Sequence, residues 1–155
     1  MSDRDVTAAA EPRETTVVNP ATGEDLARIP SSSPQEVDEA VRASEAAFRD
    51  PSWRRLTSHE RAAMLFGIAT AIRRDRNELA ELETRNVGKP LRESLEEVSL
   101  AADCFEYYAG TIDKCGGQTI PVSAPGFSMT FREPIGVCAL IVPWNFPIAI
   151  TSWKV

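Results

Sequence analysis

Apolar residues recur at spacings of three and four in four stretches of the chain, and this pattern predicts four helices. Capping-box patterns begin the first helix at Ser33 and the second at Thr57. Gly88 follows the third helix and suits a left-handed C-terminal position. The fourth helix, roughly residues 90–115, is the longest, with an apolar stripe of Leu91, Leu95, Val98, Ala102, Phe105, Ala109 and Ile112. We expect this helix to pack on the rest of a globular domain.

Three other stretches have β-type patterns. Residues 16–30 predict two short strands around a turn rich in Asn, Pro and Gly, and residues 118–134 predict a hairpin around SAPG. Residues 135–142, IGVCALIV, are continuously small or apolar, which is typical of a strand covered on both faces in a parallel α/β sheet. The loop PWNFP (residues 143–147) follows, and residues 148–155 can start a helix. The order strand, loop, helix predicts an α/β fold.

Composition and charge exclude several classes of function. The formal net charge is −6, from 17 basic and 23 acidic residues, and no basic run carries interleaved aromatics, so a nucleic-acid partner is disfavoured. No segment approaches membrane-spanning length, and the N-terminal residues lack a signal-type apolar stretch, so we expect no membrane partner and a cytoplasmic location.

A metal site is also not expected. Cys104, Cys115 and Cys138 show no CxxC spacing, which disfavours a disulfide framework or structural zinc. The single histidine, His59, stands at the predicted exposed start of a helix. The carboxylates of the long helix lie mostly off its apolar stripe and are better explained as a solvated face.

Asn145, in the middle of PWNFP, is the candidate for a catalytic role. In open α/β sheets ligands bind beyond the carboxyl ends of strands, and a carboxamide NH2 there is a neutral donor suited to a developing oxyanion. The alternative is a structural helix cap, because asparagine commonly precedes a helix. Spacing alone favours the cap.

Residues 132–155, REPIGVCALIVPWNFPIAITSWKV, closely resemble the aldehyde dehydrogenase superfamily. Four upstream blocks match in order: NPATGE (19–24), GKP (88–90), FEYYAG (105–110) and TIPV (119–122). The resemblance implies the N-terminal part of that α/β fold. Its parts would be a helical part of the cofactor-binding domain (16–117), an oligomerisation-type hairpin (118–134) and the first strand, loop and helix of a Rossmann-like sheet (135–155). Residues 1–15 are polar and without periodicity, which by itself predicts a mobile tail.

The resemblance also implies a function, the oxidation of an aldehyde to an acid with NAD or NADP. In the family a cysteine thiolate adds to the carbonyl, hydride passes to nicotinamide, and a glutamate-activated water cleaves the thioester. Asn145 matches the asparagine that holds the substrate oxygen together with a backbone N–H. The cofactor site would be lined by Ile141, Val142, Pro143 and Trp144, which from the pattern alone are also a buried strand end. Lys154 matches a lysine near the general base, or is an ordinary helix lysine; both interpretations stay open.

The family's nucleophile and general base have no counterpart in these 155 residues. Cys104 and Cys115 are predicted on the long helix, and Cys138 inside an apolar strand, where a thiol is inert. We therefore expect a fragment of a homo-oligomeric enzyme that is inactive by itself and either poorly soluble or dependent on a partner. The alternative is a free-standing noncatalytic piece that associates with intact subunits through its hairpin; an unrelated α+β binding domain is disfavoured by the ordered blocks.

Overall fold

The computed structural model of the chain describes residues 14–155. In chain order the elements are β1 (Glu14–Val18), β2 (Asp25–Pro30), α1 (Pro34–Arg49), α2 (Pro51–Arg54), α3 (Ser58–Arg74), α4 (Arg76–Val87), α5 (Leu91–Thr111), a 3-10 turn (Ile112–Lys114), β3 (Thr119–Ile120), β4 (Ser128–Met129) and α6 (Pro147–Lys154). The predicted mobile tail lies outside the described residues up to residue 13, and its last two residues belong to β1.

The four helices predicted from apolar spacing are confirmed as α1, α3, α4 and α5. Both capping boxes form: the backbone N–H of Ser33 donates to the Glu36 carboxylate at 2.6 Å, and that of Thr57 donates to Glu60 at 2.8 Å. Gly88 ends α4 with φ of 84°, the left-handed conformation that glycine adopts without strain. The four-residue helix α2 was not predicted.

The core lies along α5, which packs against α3, α4 and α6. Val98 and Ala102 are fully buried, and Phe105 completes a cluster with Ala69 of α3. Most buried side chains are alanines, so the helices approach closely. The predicted stripe of α5 is therefore confirmed at its centre, whereas Leu91 at its first turn is exposed.

Helix α1 contributes no buried residue to this core. Its apolar face is half uncovered, with Val37 and Val41 about half exposed. Val37 and Val41 face residues 137–139 across a shallow pocket of about 250 Å³. The helix was predicted correctly, but within residues 14–155 its apolar face is only partly covered.

The strands form two separate antiparallel pairs. β1 and β2 flank the turn that the sequence predicted and pair with each other. β3 pairs with β4 in the register Thr119↔Met129. Both predicted hairpin-like pairs are confirmed.

Residues 135–142 differ from the prediction: the structure has no strand there. Ile135 is 92% exposed and Ile141 82% exposed, so the run is not covered on either face. A strand is held by hydrogen bonds to neighbouring strands, and no described strand lies beside this run to supply them. The pattern indicated a buried strand, but burial depends on partners that residues 14–155 do not provide.

Among the described residues, no helix is both long enough and apolar enough to cross a bilayer.

Candidate functional site

Asn145 lies in the loop between residues 135–142 and α6, and it does not cap the helix. Phe146 occupies the N-cap position of α6, and no side chain makes a capping hydrogen bond there. The capping role that spacing favoured is therefore not what the structure shows. Within residues 14–155 the exposed carboxamide of Asn145 has no hydrogen-bond partner, which leaves its NH2 group available to a ligand.

Lys89 fixes the backbone of this loop. Its ammonium group donates to the carbonyl oxygen of Asn145 at 2.9 Å and lies 4.8 Å from the ring centre of Phe146, a cation–π contact. The same nitrogen lies 2.6 Å from a carboxylate oxygen of Glu83 and 2.6 Å from one of Glu97. A single, mostly buried cation thus joins α4, α5 and the loop.

The charges around Lys89 are shielded from water. The side chain of Glu83 is 4% exposed, and those of Lys89 and Glu97 are each 12% exposed. Burial, reinforced by contact with the Glu97 carboxyl and only partly offset by Lys89, raises the pKa of Glu83 to about 7. Burial works against the charge of Lys89, but its bonds to Glu83 and Glu97 prevail and raise its pKa.

One carboxylate oxygen in this cluster is unsatisfied. Oε2 of Glu97 is buried and has no hydrogen-bond partner among the described residues. A buried carboxylate oxygen without a donor costs free energy, so Oε2 of Glu97 is the unsatisfied polar atom of this cluster.

A pocket of about 400 Å³ opens beside the loop, lined by Val87, Gly88, Lys89, Glu93, Glu97, Trp144, Asn145 and Phe146. It brings together two parts of the chain that are 56 positions apart, the GKP block and the PWNFP block. Of the residues predicted from the sequence, Trp144 and Asn145 line this pocket, whereas Ile141, Val142 and Pro143 do not.

The second lysine of interest, Lys154, also holds the loop. Its ammonium group donates to the carbonyl oxygen of Ile141 at 2.6 Å. Ile141 and Trp144 are themselves 82% and 77% exposed, so the interpretation of residues 141–144 as a buried strand end is wrong for this chain. Their apolar surfaces are instead open to a ligand or to another part of a protein.

The three cysteines lie apart from this pocket. Cys104 is partly buried, and its thiol donates to the carbonyl oxygen of Ser152 at 3.4 Å. Cys115 follows the 3-10 turn rather than lying on α5, and Cys138 is exposed, not buried as the sequence predicted. In residues 14–155 no group of three or more His, Cys, Asp or Glu side chains is placed to hold a metal ion.

Sequence reasoning missed Lys89, Glu83 and Glu97 as parts of the site. Lys89 was visible only as the middle of the GKP block, Glu97 only as one of the carboxylates of the long helix, and Glu83 was not singled out. The available signal was the GKP block itself, because a glycine that ends a helix in the left-handed conformation places the next residue outside the helix.

Comparisons with known proteins show the family of the chain. The model of the aldehyde dehydrogenase family matches residues 6–155. The mitochondrial aldehyde dehydrogenase of Rattus norvegicus is 45% identical over 139 residues, which are 88% of this chain and 27% of the rat protein.

Solved structures give the same result. An NAD+ complex of an aldehyde dehydrogenase from Bacillus cereus superposes with a TM-score of 0.85 at 38% identity, covering 92% of this chain and 29% of that one. An E. coli structure described as an NADP-dependent enzyme gives a TM-score of 0.83 at 36% identity, with 92% and 29% coverage. The chain thus spans less than a third of the length of these relatives. By sequence and by fold, it belongs to the aldehyde dehydrogenase family and corresponds to the N-terminal portion of that fold.

Proposed function

We propose that this chain is part of an NAD(P)-dependent aldehyde dehydrogenase that oxidises an aldehyde to a carboxylic acid, with Asn145 as a hydrogen-bond donor to the substrate oxygen. The observation that carries the proposal is the placement and exposure of the Asn145 side chain. Its carboxamide is exposed at the edge of a 400 Å³ pocket and caps no helix, while its backbone carbonyl is held by Lys89.

The chemistry of a carboxamide suits this role. When a nucleophile adds to an aldehyde, negative charge develops on the carbonyl oxygen, and a fixed N–H donor stabilises that charge. The NH2 group of asparagine does not titrate, so it stays a donor at every physiological pH. Removal of one such donor typically lowers kcat about 100- to 1000-fold.

The cofactor proposal rests on the residues leading into the loop. Ile141, Val142, Pro143 and Trp144 would line the site of NAD or NADP, which supplies the hydride acceptor. Ile141 and Trp144 expose large apolar surfaces, which fit the flat rings of a dinucleotide better than they fit bulk water. The similar structures include an NAD+ complex and an NADP-dependent enzyme, which supports either cofactor.

We further propose that none of the three cysteines of this chain is the nucleophile. Cys104 is engaged with a backbone carbonyl, and neither Cys115 nor Cys138 lines the pocket beside Asn145. The thiolate and the general-base glutamate would come from residues beyond the 155 considered, so this segment by itself would not oxidise an aldehyde.

The decisive experiment uses the full-length product of the reading frame that contains these residues. Its cofactor reduction with a panel of aldehydes is compared for the unaltered protein, Asn145→Ala and the control Asn77→Ala, which changes an exposed asparagine on α4. We expect Asn145→Ala to lose about 100-fold or more in kcat and the control to lose nothing. Equal activity of all three, or a reading frame that ends at Val155, would refute the proposal.

A second candidate function is favoured by the exposure of the hairpin. Phe127 and Phe131, which flank β4, are 74% and 76% exposed. Exposed apolar side chains beside short unpaired strand edges are typical of pairing surfaces. In this alternative, the chain is a noncatalytic piece that associates with intact subunits through β3 and β4, and in the main proposal the same hairpin joins subunits of a homo-oligomer.

Sedimentation distinguishes the two proposals for the hairpin. Subunit pairing predicts that the full-length protein sediments as an oligomer and that Phe127→Lys together with Phe131→Lys shifts it towards monomer. The noncatalytic alternative predicts that the 155-residue product exists in cells and co-sediments with a longer subunit. The cytoplasmic location stays a prediction from the sequence, and cell fractionation would test it.

A further inference from the structure

We propose that Lys89 is a positioning residue for Asn145: by tying the Asn145 carbonyl to the carboxylates of Glu83 and Glu97, it sets the direction of the Asn145 carboxamide. This inference rests on the proposed role of Asn145 as the donor to the substrate oxygen. It adds a residue 56 positions upstream, on a different part of the fold, to the machinery of that reaction.

The ammonium group of Lys89 contacts three oxygen atoms, through two hydrogen bonds and one further ion pair. An ammonium group has three N–H donors, and the nitrogen of Lys89 lies 2.6 Å from Glu83, 2.6 Å from Glu97 and 2.9 Å from the carbonyl of Asn145. Two of these acceptors stand on packed helices, α4 and α5, and the third is the loop. The nitrogen is therefore fixed by the helical core, and the loop is fixed by the nitrogen.

The backbone of Lys89 is itself held in place. Gly88, just before it, adopts φ of 84° and packs against Pro20 of the turn between β1 and β2. Lys89 thus starts from a fixed backbone position, and its mostly buried side chain has little freedom to choose another partner.

Two lysines hold the loop at different points. Lys154 holds the carbonyl of Ile141 at one end of the loop, and Lys89 holds that of Asn145 at the other. Without Lys89, the loop would keep the Lys154 contact upstream and its connection to α6 downstream, but no side chain would hold the carbonyl of Asn145 itself. Because a misplacement of about 1 Å can cost 100-fold in rate, loss of the Lys89 contact is expected to lower kcat.

The experiment uses the full-length protein and two measurements. Steady-state kinetics give kcat and the KM for aldehyde and cofactor, and hydrogen exchange of residues 144–150 reports the mobility of the loop without reference to catalysis. Lys89→Met alone would leave two buried carboxyls facing each other. The main variant is therefore the combination of Lys89→Met, Glu83→Gln and Glu97→Gln, which removes the charges together. Lys114→Met, at an exposed lysine, is the matched control.

A second variant separates charge from geometry. Lys89→Arg keeps the positive charge, but a planar guanidinium cannot direct three bonds as the ammonium does. We expect it to keep the fold and to lower kcat about tenfold, while the combined variant lowers kcat 10- to 100-fold and speeds loop exchange at least tenfold. The control should match the unaltered protein in kcat, in both KM values and in loop exchange.

The combination with Asn145→Ala decides whether Lys89 acts through Asn145. If it does, the Lys89 changes cost nothing further in a protein that already carries Asn145→Ala. Additive losses, or unchanged loop exchange in the combined variant, would overturn the inference while leaving the proposed function intact. Full activity of Asn145→Ala would instead refute the proposed function.

Discussion

Pro20 and Gly88 are packed against each other so closely that a Cβ atom on Gly88 would lie 2.6 Å from Cγ of Pro20. Pro20 belongs to the turn between β1 and β2, and Gly88 ends α4 and precedes Lys89. This contact joins the strand pair to the helical core at the point from which the Lys89 side chain departs towards Asn145. The blocks NPATGE and GKP are therefore in contact, and the contact requires a residue without a Cβ atom at position 88.

We predict that Gly88→Ala destabilises the protein by about 1–3 kcal/mol, because alanine would be strained at φ of 84° and would overlap Pro20. The measurement is the free energy of unfolding in urea.

The matched control for that measurement is Gly67→Ala, inside α3. A Cβ at Gly67 meets no atom within 4 Å, and alanine favours a helix by up to about 1 kcal/mol over glycine. We expect Gly67→Ala to raise the free energy of unfolding slightly. Equal effects of the two substitutions would contradict the steric role of Gly88.

Glu83 should make stability depend on pH in the direction opposite to an ordinary surface carboxylate. Its pKa in the folded protein is about 7, above the ordinary value of 4.5, so between these values the folded state binds more protons than the unfolded state. The free energy of unfolding is therefore expected to fall as pH rises from about 4.5 to 7 and to level off above. The total change is at most about 3 kcal/mol, at roughly 1.4 kcal/mol per pKa unit.

The comparison for this prediction is Glu83→Gln, which keeps the shape of the side chain and removes its titration. The variant should lack the decline between pH 4.5 and 7, as measured by urea unfolding at half-unit steps. Parallel pH profiles of the variant and the unaltered protein would show that Glu83 is not the group responsible.

Residues 135–142 should limit the solubility of the 155-residue chain. Ile135 and Ile141 are 92% and 82% exposed in a run of high β propensity, a combination that promotes aggregation. Changing both to lysine is expected to raise the concentration that stays in solution several-fold, measured by light scattering after centrifugation. Lysine at Val37 and Val41, on the half-exposed face of α1, provides the comparison and should help less. A greater gain from the α1 changes would contradict the assignment of aggregation to this run.

The sequence by itself determined the local structure of this protein. Capping residues at Ser33 and Thr57, the glycine at position 88 and the apolar stripe of α5 act between neighbours a few positions apart, so the pattern predicts the elements that they form. The order of PWNFP and its upstream blocks also sufficed to indicate the family to which the chain belongs.

Tertiary structure decided what depends on distant partners. The apolar pattern of residues 135–142 predicts a buried strand, but the described chain offers no neighbouring strand, and the run stays exposed. Spacing favoured Asn145 as a helix cap, whereas in the fold Phe146 occupies the cap position and the Asn145 carbonyl accepts a hydrogen bond from Lys89. No periodicity links positions 89 and 145; only the packing of α4 and α5 brings a buried lysine to that loop, because burial and charge pairing are properties of the assembled core.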